Sequence, residues 1–206
     1  MNLASRWNSD WRALGALPPE DRILATLLAC YAEPHRAYHN LVHLEECFLH
    51  LNSSVHLSSK PGEVAIALWF HDATYDTHAS DNEVLSAEWA RKVVEETGGP
   101  SCVAVRVRDL ILATRHDQSP TAGDAALLVD IDLAILGASE IRFDEYESQI
   151  RREYAWVPDP LFRSTRSRIL GEFLARPRIY STDFFAERRE RPAHANIRRA
   201  IAQLAD

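Results

Sequence analysis

Ala67-Leu68-Trp69-Phe70-His71-Asp72-Ala73-Thr74-Tyr75 is the stretch on which the reading of this 206-residue chain turns. It closes an apolar run, Val64-Ala65-Ile66-Ala67-Leu68-Trp69-Phe70, that has almost no polar face. Such a run reads as a helix buried on all sides. A histidine and an aspartate at its end are expensive to bury unless something neutralises them, and a divalent cation does so. Neighbouring helical residues point about 100° apart, so the two side chains can share one small ligand only where the helix unwinds. The residues Ala73-Thr74-Tyr75-Asp76 suit such an end.

Two distant segments offer the missing ligands. Upstream lies Arg36-Ala37-Tyr38-His39-Asn40-Leu41-Val42-His43, where His43 supplies a neutral nitrogen. Downstream lies Val129-Asp130-Ile131-Asp132-Leu133, where Asp130 and Asp132, two residues apart, face different directions and compete as the carboxylate. Two histidines and two carboxylates suit Mn, Ni, Co, Fe, Zn or Mg better than soft metals. They leave coordination positions open for water and substrate, and one divalent ion is the expected cofactor. Around this set stand further candidates. Arg36 is a candidate phosphate clamp, because guanidinium binds oxyanions bidentately. His39 is a candidate pocket residue, and His116 a candidate contact to a substrate phosphate or a second metal. Asp76 is a candidate to position or deprotonate the water, beside a catalytic role for Asp72. Tyr38 and Tyr75 are candidate pocket walls.

The remaining pattern is helical throughout, with only 7 glycines and abundant Leu, Ala, Arg and Glu. Pro18-Pro19-Glu20-Asp21 opens one helix that stops near Glu33-Pro34. A second is expected from about Tyr38 to Leu51, which would put His39, His43 and Cys47 on one face. Pro61-Gly62-Glu63 opens the apolar helix. Ser80-Asp81-Asn82-Glu83 has the form of a capping box, with Ser80 as N-cap of a helix running to Thr97. Further helices are expected from Ser101 to about Arg115, Ala125 to Leu136, Glu140 to Trp156, Pro160 to Ala175 and Pro192 to Leu204. The expected architecture is therefore all-α and single-domain, with a metal-binding core over about 35–137 and C-terminal helices over 140–205 packed on it.

Charge and cysteine content exclude several classes. Net charge is −7; residues 1–139 carry −9 and residues 140–206 carry +2, so neither part offers a basic surface for nucleic acid. Three scattered cysteines without CxxC spacing argue against a disulfide framework or a thiolate-only zinc site. No apolar run has membrane-spanning length, and Met1–Trp7 has no apolar signal core, so no membrane partner and a cytoplasmic location are expected. Neither a P-loop, nor a Rossmann glycine pattern, nor a GxSxG elbow is present.

The order His43, His71-Asp72, Asp132 resembles the H…HD…D signature of the HD-domain superfamily of metal-dependent phosphohydrolases. The flanks Arg36–His43, Trp69–Tyr75 and Asp130–Gly137, with Arg151-Arg152-Glu153-Tyr154 and Arg178-Ile179-Tyr180, are similar to a bacterial branch of predicted phosphohydrolases. The resemblance spans about residues 5–205. It implies an all-helical HD fold and one metal held by His43, His71, Asp72 and Asp132, with Asp130 in a capping or supporting role. The implied activity is hydrolysis of a small phosphorylated substrate, a phosphomonoester or phosphoanhydride such as a nucleotide, with metal-activated water as nucleophile. Two alternatives belong to other classes: a non-catalytic metal-stabilised module that binds a nucleotide or partner, and an HD-type di-iron oxygenase, for which additional His and Asp ligands are scarce.

Overall fold

The computed structural model describes residues 2–115 and 122–205. They form ten α-helices and three short 3-10 segments, with no strand among them, so the all-α class is observed. The chain divides into two compact units, one up to Val129 and one from Asp130 onward. The division falls inside the helix over Gly123–Asp132. No helix among the described residues is long and apolar enough to cross a membrane.

The first unit is built on α4 (Pro61–Phe70), which starts with proline at its first turn and buries every residue from Gly62 to Phe70. Against it pack α1 (Leu3–Leu14), α3 (Leu41–Ser54), α5 (Asn82–Glu96) and α6 (Ser101–Leu112). A further helix, α2 (Asp21–Tyr31), donates the Tyr31 hydroxyl to the Trp69 carbonyl at 3.2 Å. The sequence reading did not anticipate α1. Its signal is Trp7 and Trp11 at i, i+4, both buried, with rings edge-on at 5.4 Å. Trp7 also meets Trp69 edge-on at 5.1 Å. Between the tryptophans on α1, Asp10 accepts from Trp69 Nε1 at 2.9 Å and from Arg6 Nε at 3.0 Å. Burial pushes the Asp10 carboxyl up, against the pull of Arg6 and the indole. Glu63 on α4 and Arg106 on α6 form a two-pronged ion pair at 2.6 and 2.8 Å.

Two helix starts differ from the sequence reading. Helix α3 begins at Leu41, because the Asn40 side chain caps it by accepting from Val42 N at 2.8 Å. His39 therefore precedes the helix and does not share its face. Helix α5 begins at Asn82 without a side-chain cap, so the Ser80–Glu83 capping box does not form. The Asn82 side chain is turned instead to the Asp76 backbone, accepting from its N–H at 3.0 Å and donating to its carbonyl at 2.9 Å. The last helix to start in this unit, α7 (Gly123–Asp132), is tied down by Asp124. That carboxylate receives the N–H groups of Ser59 and Lys60 at 2.8 and 3.0 Å, just ahead of α4.

In the second unit α7 tightens into a 3-10 turn over Leu133–Gly137, followed by α8 (Glu140–Glu153), α9 (Asp159–Ala175) and α10 (Asp183–Ala205). The expected helix from Pro192 is thus the second half of a longer one, with Pro192 in its interior. The missing N–H is tolerated because the buried positions Phe185, Ala193, Asn196, Ile197 and Ala200 keep helical spacing across it. Helix α10 grips the 3-10 turn. Arg189 donates to the carbonyls of Ala134 and Gly137 at 3.0 and 3.2 Å, and Asn196 to those of Leu136 and Ala138, each at 3.0 Å.

Two glycines make a paired test. A Cβ on Gly62 would lie 2.4 Å from the Ala13 carbonyl carbon and 2.4 Å from the Leu14 nitrogen, both backbone atoms of α1. Gly171, inside α9, has open space at that position. Gly62→Ala should destabilise by about 1–3 kcal/mol through forced separation of α1 and α4. Gly171→Ala should stabilise by about 0.4–1 kcal/mol. Urea unfolding of the two variants beside the parent chain measures both; equal effects would contradict the packing.

Candidate metal centre

The site begins where α4 stops. His71 and Asp72 lie in the turn after Phe70, as their position at the end of an apolar helix predicts. Three groups hold this turn. The Tyr31 hydroxyl accepts from Asp72 N at 3.3 Å. Arg36 donates to the carbonyl of Asp72 at 2.5 Å and to that of Ala73 at 3.1 Å. Beyond it, Ser86 Oγ accepts from Thr74 N at 2.9 Å. The backbone of this turn thereby finds partners within the protein.

Within that frame His71 Nδ1 lies 2.8 Å from the Leu68 carbonyl. A hydrogen bond there needs the proton on Nδ1, which leaves the Nε2 lone pair facing inward in the neutral ring. His43, on the first turn of α3, places its Nε2 3.1 Å from His71 Nε2. Asp72 Oδ2 lies 3.1 Å from His71 Nε2 and 3.5 Å from His43 Nε2. That oxygen is buried and receives no hydrogen bond. Two nitrogens and an oxygen that are all able to donate lone pairs thus face one another at close range. Such a cluster is unfavourable alone and matches ligand atoms about 3 Å apart on one divalent ion.

Electrostatics agree with this arrangement. Burial raises the Asp72 carboxyl, but His71, then His39 and His43, outweigh it and hold the group below the ordinary carboxylate range. His43 and His71 are 2 % and 1 % exposed, whereas the Asp72 side chain keeps 17 % exposure, so solvent reaches the cluster at the carboxylate. His39 is half-buried beside it, stacked on Tyr75 at 4.2 Å between ring centres. Tyr38 is buried against His43 at 4.7 Å. Cys47, one turn beyond His43, joins the group: one ligand atom each of His43, Cys47 and His71 lie within 4.8 Å of one another. The i, i+4 spacing of His43 and Cys47 was the available signal for it. These buried residues can hold a metal ion.

Compared with protein-family models, with curated proteins and with solved structures, the chain has no match. The site must therefore be read from its own geometry.

Two of the residues given roles by the sequence have other partners in the structure. Arg36 is not available to a phosphate: its side chain is fully buried, and besides the two carbonyls it donates to Glu33 Oε2 at 2.9 Å and to the His39 carbonyl at 3.2 Å. Asp76 is exposed and accepts from His78 N at 2.9 Å, which makes it a turn residue of its own loop, not a base aimed at the cluster. His116 lies outside the described residues. In the second unit Asp130 is fully buried and uses both carboxylate oxygens: Oδ1 accepts from Ser181 N at 2.8 Å, and Oδ2 from Thr182 N and Oγ1 at 2.7 and 2.6 Å. It anchors the segment that leads into α10. Asp132 ends α7, half-buried, with its charge near the Tyr146 phenol.

Because Arg36 serves the backbone, Arg36→Lys should lower stability by about 2 kcal/mol, since an ammonium cannot reach several carbonyls as a fork. Thermal unfolding followed by circular dichroism checks this. Unchanged stability with weakened substrate binding would restore the phosphate-clamp role.

Proposed function

We propose that the chain is a metal-dependent phosphohydrolase acting on a phosphomonoester or phosphoanhydride, with His43, His71 and Asp72 holding one divalent ion. The observation that carries the ligand set is the meeting of His43 Nε2, His71 Nε2 and the orphaned Asp72 Oδ2 at 3.1–3.5 Å. The reaction class rests on the resemblance of His43, His71-Asp72 and Asp132 to the HD signature. Asp132 is the proposed fourth ligand on its order in that motif. The engagement of both Asp130 oxygens by Ser181 and Thr182 supports choosing it over Asp130.

Each residue has a task that follows from its surroundings. His71, oriented by the Leu68 carbonyl, presents a lone pair without a rotamer search. Asp72 supplies the anionic ligand: protonated His71, then His39 and His43, hold its carboxyl low against burial, and a divalent ion would take over from those protons when the rings ligate as neutral groups. His39 and Tyr75, stacked at the more open side, offer a flat wall against which a substrate's leaving group can lie. When bound, the metal lowers the pKa of water and polarises a phosphoryl oxygen.

A specific observation favours a second reading. The two imidazoles are almost sealed from solvent, as in closed structural metal sites, which suits a metal-stabilised binding module without turnover.

Elemental analysis of protein purified without chelator should find about one divalent ion per chain. Asp72→Ala and Asp132→Ala should each abolish binding, while Asp130→Ala should keep the ion but lose about 1–3 kcal/mol of stability. Retained metal in Asp132→Ala with loss in Asp130→Ala would reverse the assignment. Hydrolysis of p-nitrophenyl phosphate and of a nucleotide panel, tested with Mn, Ni, Co, Fe, Zn and Mg, separates enzyme from binding module. A metal-loaded protein inert on the whole panel would overturn the hydrolase reading.

A further inference from the structure

Cys47 deepens the reading of this site, and the inference rests on the proposal that the cluster holds a metal. The thiol is 1 % exposed on α3, one turn past His43. Its helix neighbours on the same side, Leu44, Phe48 and Leu51, are buried among hydrocarbon. Sγ differs from them: it lies 3.7 Å from His43 Nε2 and 3.8 Å from Nδ1. With metal–nitrogen bonds of about 2.0–2.1 Å and metal–sulfur bonds of about 2.3 Å, a nitrogen and a sulfur on one ion stand about 3.1–3.8 Å apart. Near-equal distances to the two ring nitrogens place Sγ beside the imidazole and off the Nε2 lone-pair axis. Ligation therefore needs a turn of the Cys47 side chain toward the cluster, where one ligand atom each of His43, Cys47 and His71 already lie within 4.8 Å of one another. The second, independent sign that this space takes a cation is Asp72 Oδ2, buried and without a hydrogen-bond donor.

We propose that Cys47 supplies a thiolate to the metal, making the centre a mixed nitrogen, sulfur and oxygen site that prefers zinc, cobalt or iron over magnesium or manganese. On ligation the S–H proton leaves to solvent and a sulfur lone pair forms the bond to the ion, with no change of oxidation state. The sequence motif alone, with two histidines and two carboxylates, does not distinguish these metal classes.

X-ray absorption of the zinc-loaded full chain tests this without reference to activity. A sulfur scatterer at about 2.3 Å is expected in the native protein. It should persist in the Cys30→Ser/Cys102→Ser double variant, which leaves Cys47 as the one cysteine of three. Cys47→Ser should lose the sulfur shell and reduce the preference for zinc over manganese by about tenfold or more. The double variant carries the test even where Cys47→Ser does not fold. Zinc bound through nitrogen and oxygen alone would overturn the thiolate and leave the metal site standing. Loss of the sulfur shell in the double variant would assign the sulfur to Cys30 or Cys102 and also overturn it. Failure to take up zinc, cobalt, nickel or manganese at all would overturn both this inference and the site reading.

Discussion

Burying the end of α4 is the constraint on which the first unit depends. A helix with no solvent-facing side has no water for the carbonyls at its C-terminus, and each one left open is costly. The last carbonyls of α4 are met by His71 Nδ1 at Leu68, the Tyr31 hydroxyl at Trp69 and Ala73 N at Phe70. Arg36 serves the turn beyond them, directing its guanidinium at the carbonyls of His39, Asp72 and Ala73. Its own burial is made tolerable by Glu33, and its flat face lies near the rings of Tyr31 and Tyr75 at 5.3 and 5.5 Å. The same lock draws the segment before α3 onto the turn after α4. His43 thereby meets His71 and Asp72, so the geometry of the site is a by-product of satisfying a buried backbone.

The second unit uses the same device on other residues. Its irregular stretch is the 3-10 turn over Leu133–Gly137, whose carbonyls are met by Arg189 and Asn196 of α10. On the other side Glu190 accepts from the N–H groups of Ile179 and Tyr180, and Asp130 from those of Ser181 and Thr182. Long polar side chains on regular helices thus complete the hydrogen bonds of the segments between them. Gly137 permits the close approach, since a Cβ there would lie 2.6 Å from Arg189 Cβ.

Charge in the cluster is a contest of two large terms. Burial favours a neutral Asp72, and the surrounding imidazoles favour the carboxylate; the imidazoles prevail. A divalent ion can replace the imidazole protons as the counter-charge to Asp72, and it also meets the lone pairs that the neutral rings then turn inward. Cys47 adds a donor of different chemistry to the same space, which is why the choice of metal depends on more than the histidines and carboxylates.

The helical class, the central place of α4 and the nearness of His43 to His71-Asp72 were legible in the sequence. They arise from local periodicity, from an apolar run without a polar face, and from the expense of burying a histidine and an aspartate there. Other features depended on partners far along the chain. Arg36 reads as a free cation until the carbonyls 36 and 37 residues away stand in front of it. Asp130 and Asp132 are equivalent by pattern, and only the return of residues 181–182 shows which carboxylate is engaged in structure. Pro192 reads as a helix start because proline disfavours helix interiors, yet a buried stripe continuing on both sides of it outweighs one missing hydrogen bond. Residue type and spacing determined which elements form; which polar group each side chain meets was decided only when the chain folded, because hydrogen bonds act over about 3 Å and not along the sequence.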